Sequence, residues 1–214
     1  MSSVLLVATN NRYKLSEIDG YLDHVDRTGL RTELGLVLKG LWGYPDCPEA
    51  DESADTYAGN AVHKAQVAAQ QTGLPALGED SGLEVDALNG APGVRTRRYE
   101  PDDVPWPERC RRLVARLDGV PEHRRTARFR TAAAIYLPDG RFWTVEGVIE
   151  GTIYHEPVGD EGFGYDPVFW LPEHGVTMAQ LPFTAKLAIS HRSRALAELA
   201  PILRQVFGAG AGAS

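Results

Sequence analysis

Residues 4–8 form a short apolar run, Val4-Leu5-Leu6-Val7-Ala8, that stops at Thr9-Asn10-Asn11, the pattern of a buried strand opening into a polar turn. Leu15, Ile18 and Leu22 then recur at helical spacing and predict a helix. Residues 29–53 carry glycine and proline punctuation without a clear period and read as irregular. An alanine-rich helix is predicted over residues 56–72, with Asp55 as its candidate cap and Gly73-Leu74-Pro75 as its stop. Ala76-Leu77-Gly78, the polar Glu79-Asp80-Ser81-Gly82 and the alternating Leu83-Glu84-Val85-Asp86 read as strand, polar turn, strand, which puts the acidic pair at a strand end. Residues 106–117 look helical. Residues 129–137 and 142–149 look like a hairpin joined by Pro138-Asp139-Gly140. A last helix is predicted over residues 193–206, and the Gly/Ala tail 208–214 has the composition of a disordered end. Neither an internal repeat nor a linker divides residues 1–207, so a single domain is expected.

A 43% apolar content over 214 residues suffices for a substantial core. No apolar run approaches the roughly 20 residues of a membrane helix, and the first residues lack the charged start of a signal peptide, so the expected location is the cytoplasm, with no membrane partner. Cys47 and Cys110 form no metal spacing and no disulfide framework, and both are expected as buried thiols. The net charge of -7 opposes binding of a nucleic-acid polymer while leaving room for a local cationic site that takes a small anion. Only four of the basic residues are lysines, Lys14, Lys39, Lys64 and Lys186, in a chain that otherwise uses arginine.

Walker, HExxH, GxSxG and dinucleotide-binding signatures are all missing. The remaining candidates are polar residues at element ends. Thr9, Asn10, Asn11, Arg12, Tyr13 and Lys14 sit at a strand-to-helix junction, where helix-start N–H groups and cationic side chains can cradle phosphate. Taken alone, the segment is first of all an ordinary polar turn. Glu79-Asp80-Ser81-Gly82 offers adjacent carboxylates and a hydroxyl, which suit a hard cation beside a phosphate. Because strand neighbours face opposite ways, one carboxylate is enough, and Asp80 is the choice. The acidic run Glu49, Asp51, Glu52 and Asp55 could supply a second oxygen ligand or be a solvated surface. Gly162-Phe163-Gly164-Tyr165-Asp166-Pro167 could stack a planar ring and bond its edge, or its aromatics could be core anchors. Lys186 and Ser190-His191-Arg192 follow just before the last helix.

In order, several blocks of the chain resemble the inosine triphosphate pyrophosphatase family, whose members act on non-canonical purine nucleoside triphosphates. The matching blocks are residues 7–14, Thr56-Tyr57 with Asn60-Ala61 and Lys64-Ala65, and Gly73-Leu74-Pro75-Ala76. They continue with residues 80–88, Gly90-Ala91-Pro92-Gly93-Val94, residues 162–167, and Ala188-Ile189-Ser190-His191-Arg192 with Arg194-Ala195-Leu196. The resemblance implies an α/β fold, a long twisted mixed sheet flanked by helices in two lobes with an active cleft between them, and a homodimer. It implies hydrolysis of ITP, dITP or XTP to nucleoside monophosphate and pyrophosphate with Mg2+. Carried over, Thr9 to Lys14 and Ser81 would hold the triphosphate, and Asp80 would be the catalytic carboxylate and a metal ligand with Glu52. Phe163, Gly164, Tyr165, Asp166, Lys186, His191 and Arg192 would form the base and substrate pocket.

The chain departs from the family pattern at Glu79, Gly59, Glu161 and Leu187, and its Arg95-Thr96-Arg97-Arg98-Tyr99 stands where relatives read more like Tyr-Ser-Ala-Arg-Tyr. Two added guanidiniums keep open a specialised pyrophosphatase for another modified nucleotide. A non-catalytic nucleotide-binding protein is the other alternative, against which the retained Asp80 and Lys14 argue.

Overall fold

The computed structural model describes residues 3–25 and 29–208. Its strands and helices, in chain order, are β1 (Ser3–Val7), α1 (Arg12–Gly20), α2 (Leu30–Leu34), β2 (Leu36–Gly40), α3 (Tyr57–Thr72), β3 (Ala76–Val85), α4 (Trp106–Ala115), β4 (Thr126–Tyr136), β5 (Phe142–Ile153), β6 (Phe169–Leu171), β7 (Val176–Thr177), α5 (Phe183–Ile189) and α6 (His191–Phe207). The strands form one seven-stranded sheet in the order β2-β1-β3-β4-β5-β6-β7. It is mixed: β1 pairs in parallel with both β2 and β3, whereas β6 is antiparallel to β5 and β7. This is the open α/β sheet flanked by helices that the sequence resemblance implied.

Within the described residues the chain divides into two compact units. The first takes the chain as far as Asp80, then Thr131–Gly147 and everything from His191 on; the second takes Ser81–Arg130 and Val148–Ser190. The first core gathers Leu5, Val7, Ile18, Leu22, Leu30, Leu36 and Leu77 with Ala133 and Ile135 of β4 and Ala195, Leu196, Leu199 and Leu203 of α6. Leu15, Ile18 and Leu22, predicted to share a helix face, do so through α1 and the π-helical turn Tyr21–Val25 that extends it. The second core gathers Leu83, Val85, Cys110, Leu113, Leu117, Phe129, Ile149, Tyr165 and Phe169.

Three expectations fail for identifiable reasons. Residues 29–53 are not irregular throughout: α2 and β2 lie in them. Both are five residues long, and Gly29 and Gly35, at φ 66° and 58°, bracket α2. Elements this short leave no readable period, and β2 is specified by its five-residue parallel pairing with β1. Glu79-Asp80-Ser81-Gly82 is not a turn: β3 runs unbroken through it, so the acidic pair lies mid-strand. Its polarity misleads because these carboxylates have buried partners. The cap of α3 is Thr56, whose hydroxyl accepts from the Gly59 N–H at 3.0 Å, and not Asp55. The stop is as predicted, at Gly73 with φ 68°. Helix α5, absent from the prediction, ends at Ser190, next to the start of α6. Except for Gly208, the Gly/Ala tail lies outside the described residues.

Helix α3 lies directly on β3, because a Cβ at Gly78 would overlap the Ala61 carbonyl. Gly147 of β5 likewise gives room to the His191 carbonyl of α6. Bare backbone at these two points lets each helix approach its strand closely, and both approaches lie within the first unit.

Candidate functional site

In the first unit, the carboxylates of Glu79 and Asp80 lead to separate networks because successive strand side chains point to opposite faces. Glu79 faces α1 and α6. Its carboxylate meets Lys14 Nζ at 2.6 Å and the Arg192 guanidinium at 3.0 and 3.2 Å, and Arg192 also pairs with Glu17. Thr131 Oγ1 lies 2.6 Å from Glu79 Oε1 and 3.0 Å from the Asp80 carbonyl oxygen, with one proton to give. Burial would raise the Glu79 pKa, but the charges of Arg192 and Lys14 outweigh it and hold the carboxyl well below the ordinary glutamate range. This side chain is ionised and structurally committed.

Asp80 faces α3. Its two oxygens accept from Asn60 Nδ2 at 2.9 Å and Lys64 Nζ at 3.0 Å. Asn60 and Lys64 stand four residues apart on α3, one turn along the same face. Lys64 Nζ also donates to Glu52 Oε1 at 2.6 Å and the Glu79 carbonyl at 3.2 Å. An ammonium is thus held by oxygen alone, from Glu52, Asp80 and one backbone carbonyl. Burial raises the Asp80 pKa despite the opposing Lys64 charge, which moves the group toward proton acceptance. Burial would lower the Lys64 pKa, but Asp80 and Glu52 reverse the effect and raise it, keeping the ammonium charged. No group of three or more His, Cys, Asp or Glu side chains forms a preset metal cluster among the described residues. The Glu52 and Asp80 oxygens around Nζ nevertheless fit a hard cation, which takes oxygen ligands and keeps several waters.

The β1–α1 junction carries the predicted phosphate-binding residues. Asn11 caps α1, accepting from the Tyr13 and Lys14 N–H groups at 3.0 and 3.3 Å, while its own N–H donates to Thr9 Oγ1 at 3.1 Å. Two of the helix-start donors expected for phosphate therefore serve the helix's own cap. Asn10 reaches Glu49 at 3.4 Å, and the Arg12 side chain is exposed.

In the second unit, Gly162 and Gly164, at φ 80° and 68°, fold residues 162–166 back on themselves. Asp166 Oδ2 accepts from the Phe163 N–H at 2.9 Å and from Lys186 Nζ of α5 at 2.7 Å. Lys186 Nζ lies 5.3 Å from the centre of the Phe163 ring. Tyr165 is built into the core, edge-on to Trp106 at 5.3 Å, which leaves Phe163 as the half-exposed aromatic of this loop. Ser81 is half-buried within β3, and His191 and Arg192, at the start of α6, are both buried.

Residues 5–202 match the model of the Ham1 family. The chain belongs to the Ham1 family. A Ham1 protein structure from Coxiella burnetii superposes with a TM-score of 0.82 at 35% identity, covering 95% of this chain and 99% of that one. The chain is 46% identical over 195 residues to a dITP/XTP pyrophosphatase of Geobacter sulfurreducens, spanning 91% of this chain and 94% of the relative. It is 41% identical over 203 residues to one of Desulforamulus reducens, spanning 95% and 96%.

Against this Ham1 frame, the motif-based reading of the site overlooked Asn60, Lys64, Thr131 and Glu17. Lys64 carried a usable signal, being one of four lysines in an arginine-rich chain and one helical turn from Asn60. Thr131 and Glu17 carried none, since each acquires its partner only when distant elements pack. Among the described residues no helix is long and apolar enough to cross a membrane.

Proposed function

We propose that this chain hydrolyses non-canonical purine nucleoside triphosphates, ITP, dITP and XTP, to nucleoside monophosphate and pyrophosphate. The observation that carries the reading is the partly buried arrangement in which Asp80 and Glu52 share one cation. The dITP/XTP pyrophosphatase relatives support the same chemistry.

In this reading Asp80 and Glu52 would hold Mg2+ through the oxygens that Lys64 Nζ now bridges, with the ammonium displaced, and the ion would supply neutralisation of phosphate charge and a more acidic water. Thr9, Asn10, Asn11, Arg12, Tyr13, Lys14 and Ser81 receive the triphosphate. Lys14 acts as a compact point charge, and it must exchange part of its contact with Glu79 to do so. Asp80 would take the proton of the attacking water as its oxygen bonds to the α-phosphorus, the α–β anhydride breaks and pyrophosphate leaves, a contribution of about 10²–10⁴-fold. Phe163 offers a face to the purine, and Gly164, Tyr165, Asp166 and Lys186 set that face in place. Arg192 is committed to Glu17 and Glu79, so with His191 it supports the site from within the first unit. The acting form is a cytoplasmic homodimer, as in the family the sequence resembles.

The test is a Mg2+-dependent pyrophosphate-release panel over ITP, XTP, dITP, GTP and ATP. ITP and XTP should turn over far faster than ATP, and Asp80→Asn should nearly abolish turnover with the fold intact. Near-normal activity of Asp80→Asn at saturating Mg2+ would sink the assignment. A second reading, a pyrophosphatase specialised for another modified nucleotide, is favoured by Arg95 and Arg97, both exposed and without an ion-pair partner among the described residues. Comparable kcat/KM for ATP and ITP would move weight to it.

A further inference from the structure

Most arginines that pack in this protein spend their N–H groups on oxygen. Arg109 gives three to backbone carbonyls, Arg128 meets Glu84, Asp86 and Glu150, and Arg192 is shared by Glu17 and Glu79. Arg12 differs. It opens α1 with an exposed side chain, and among the described residues no carboxylate pairs with it. Its guanidinium carbon lies 5.3 Å from the centre of the Trp42 ring.

Trp42 is 45% exposed, one of three large apolar side chains left open to solvent among the described residues, so burial does not explain its position. It is nevertheless fixed. The indole rests on the end of β2, where a Cβ at Gly40 would overlap its ring. The 3-10 turn Leu41–Gly43 that carries it is tied to the β1–α1 junction, because the Leu41 N–H donates to the Thr9 carbonyl at 3.3 Å. Asn10 of the junction also donates to Glu49, farther along the connection that follows the turn, at 3.4 Å. A carboxylate in place of the indole would hold Arg12 but consume its donors and cancel its charge. An aromatic face holds the cation through the ring quadrupole and leaves the N–H edge of the fork free for phosphate oxygens.

We propose that Trp42 is a positioning residue that holds the Arg12 guanidinium ready for the phosphate chain of the substrate. The inference rests on the reading of Arg12 as a triphosphate contact. Trp42 touches no reacting atom; it sets the direction of a cation that does the binding. Its loss therefore weakens ground-state affinity and leaves the chemical step alone, the signature of a change in KM with kcat unchanged.

The experiment is a double-mutant cycle on the full chain, with pyrophosphate release from ITP at saturating Mg2+ as the readout. Trp42→Leu should raise KM about 2- to 5-fold, the scale of one exposed cation–π contact, with kcat within about twofold. Trp42→Phe, which restores an aromatic face, should recover most of the affinity. Arg12→Ala should raise KM further, and adding Trp42→Leu to it should change nothing more. In parallel, tripolyphosphate should quench intrinsic fluorescence in the unaltered protein and do so less in Trp42→Phe. If Trp42→Leu leaves KM unchanged while Arg12→Ala raises it, the inference fails and the phosphate role of Arg12 stands. The inference also fails if Trp42→Leu raises KM equally with and without Arg12. If Arg12→Ala itself leaves KM unchanged, the phosphate role of Arg12 falls and takes the inference with it.

Discussion

Glu79→Gln should destabilise the protein by about 3 kcal/mol at neutral pH, through loss of a buried charge with the shape retained. The wild-type carboxylate touches two cations, Lys14 at 2.6 Å and Arg192 at 3.0 Å, and all three groups are mostly or wholly shielded, with side-chain exposures of 5%, 17% and 2% for Glu79, Lys14 and Arg192. Removing one partner of a buried pair costs about 3–5 kcal/mol because the other charge is stranded. The low end applies here, since Arg192 keeps Glu17 and the less buried Lys14 can turn toward water. At about 2–4 °C per kcal/mol for a chain of this size, the melting temperature should fall by about 6–12 °C. The pH dependence supplies a second check. The folded pKa of Glu79 is depressed, so its contribution is fully present above the unfolded value of about 4.3 and is lost as pH falls through the folded value. The gap between wild type and Glu79→Gln should therefore be flat from about pH 8 to pH 5 and narrow below about pH 4. Thermal melts of both proteins across that range test it. A shift under about 2 °C at pH 7, or a gap that widens in acid, would refute the reasoning.

Three further outcomes follow from the packing. Gly78→Ala should destabilise by at least about 2 kcal/mol and depress activity, because its Cβ would push α3 off β3 and carry Asn60 and Lys64 from Asp80; an unchanged melting temperature would contradict this. Arg109→Lys should cost about 2–3 kcal/mol in denaturant melts, since an ammonium cannot replace the three 2.7 Å bonds a guanidinium makes to the carbonyls of Arg97, Pro101 and Val104. The Cys110 thiol is buried and pushed up to about 12, so in the folded protein at pH 8 iodoacetamide should label the half-buried Cys47 first and Cys110 only after unfolding, as peptide mass spectrometry would report.

The long elements were readable because their periods are long enough to count. The α3 pattern, its Gly73 stop, and the β4–β5 pair around Pro138-Asp139-Gly140 are all where local chemistry puts them. β2 and α2 escaped because five residues between glycines hold too little periodicity, and their identity comes from pairing with β1 and packing in the first core. The middle of β3, between two stretches correctly read as strand, escaped for a different reason. A run of Glu, Asp, Ser and Gly obeys the rules for a turn, and only cations from α1, α3 and α6, far away in the sequence, make it a buried central strand. The same distance effect hid part of the site. Asp80, Lys14 and Glu52 sit in short motifs and are legible as candidates. Thr131 in an apolar strand and Glu17 in an ordinary helix look unremarkable until β4 and α6 reach them.

The back-to-back placement of Glu79 and Asp80 bears on how this stretch of gene can change length. Deleting or inserting a single codon ahead of Leu77 would reverse the faces of the strand that follows, turning Glu79 toward Asn60 and Lys64 and Asp80 toward Lys14 and Arg192. The shorter aspartate would then have to span the gap its neighbour now fills, and Leu77 would leave the first core while Gly78 vacated its place under α3. Point substitutions can sample one face at a time, but a frame-preserving length change exchanges both at once, so natural indels in this chain are expected in the connections flanking β3 and not within it.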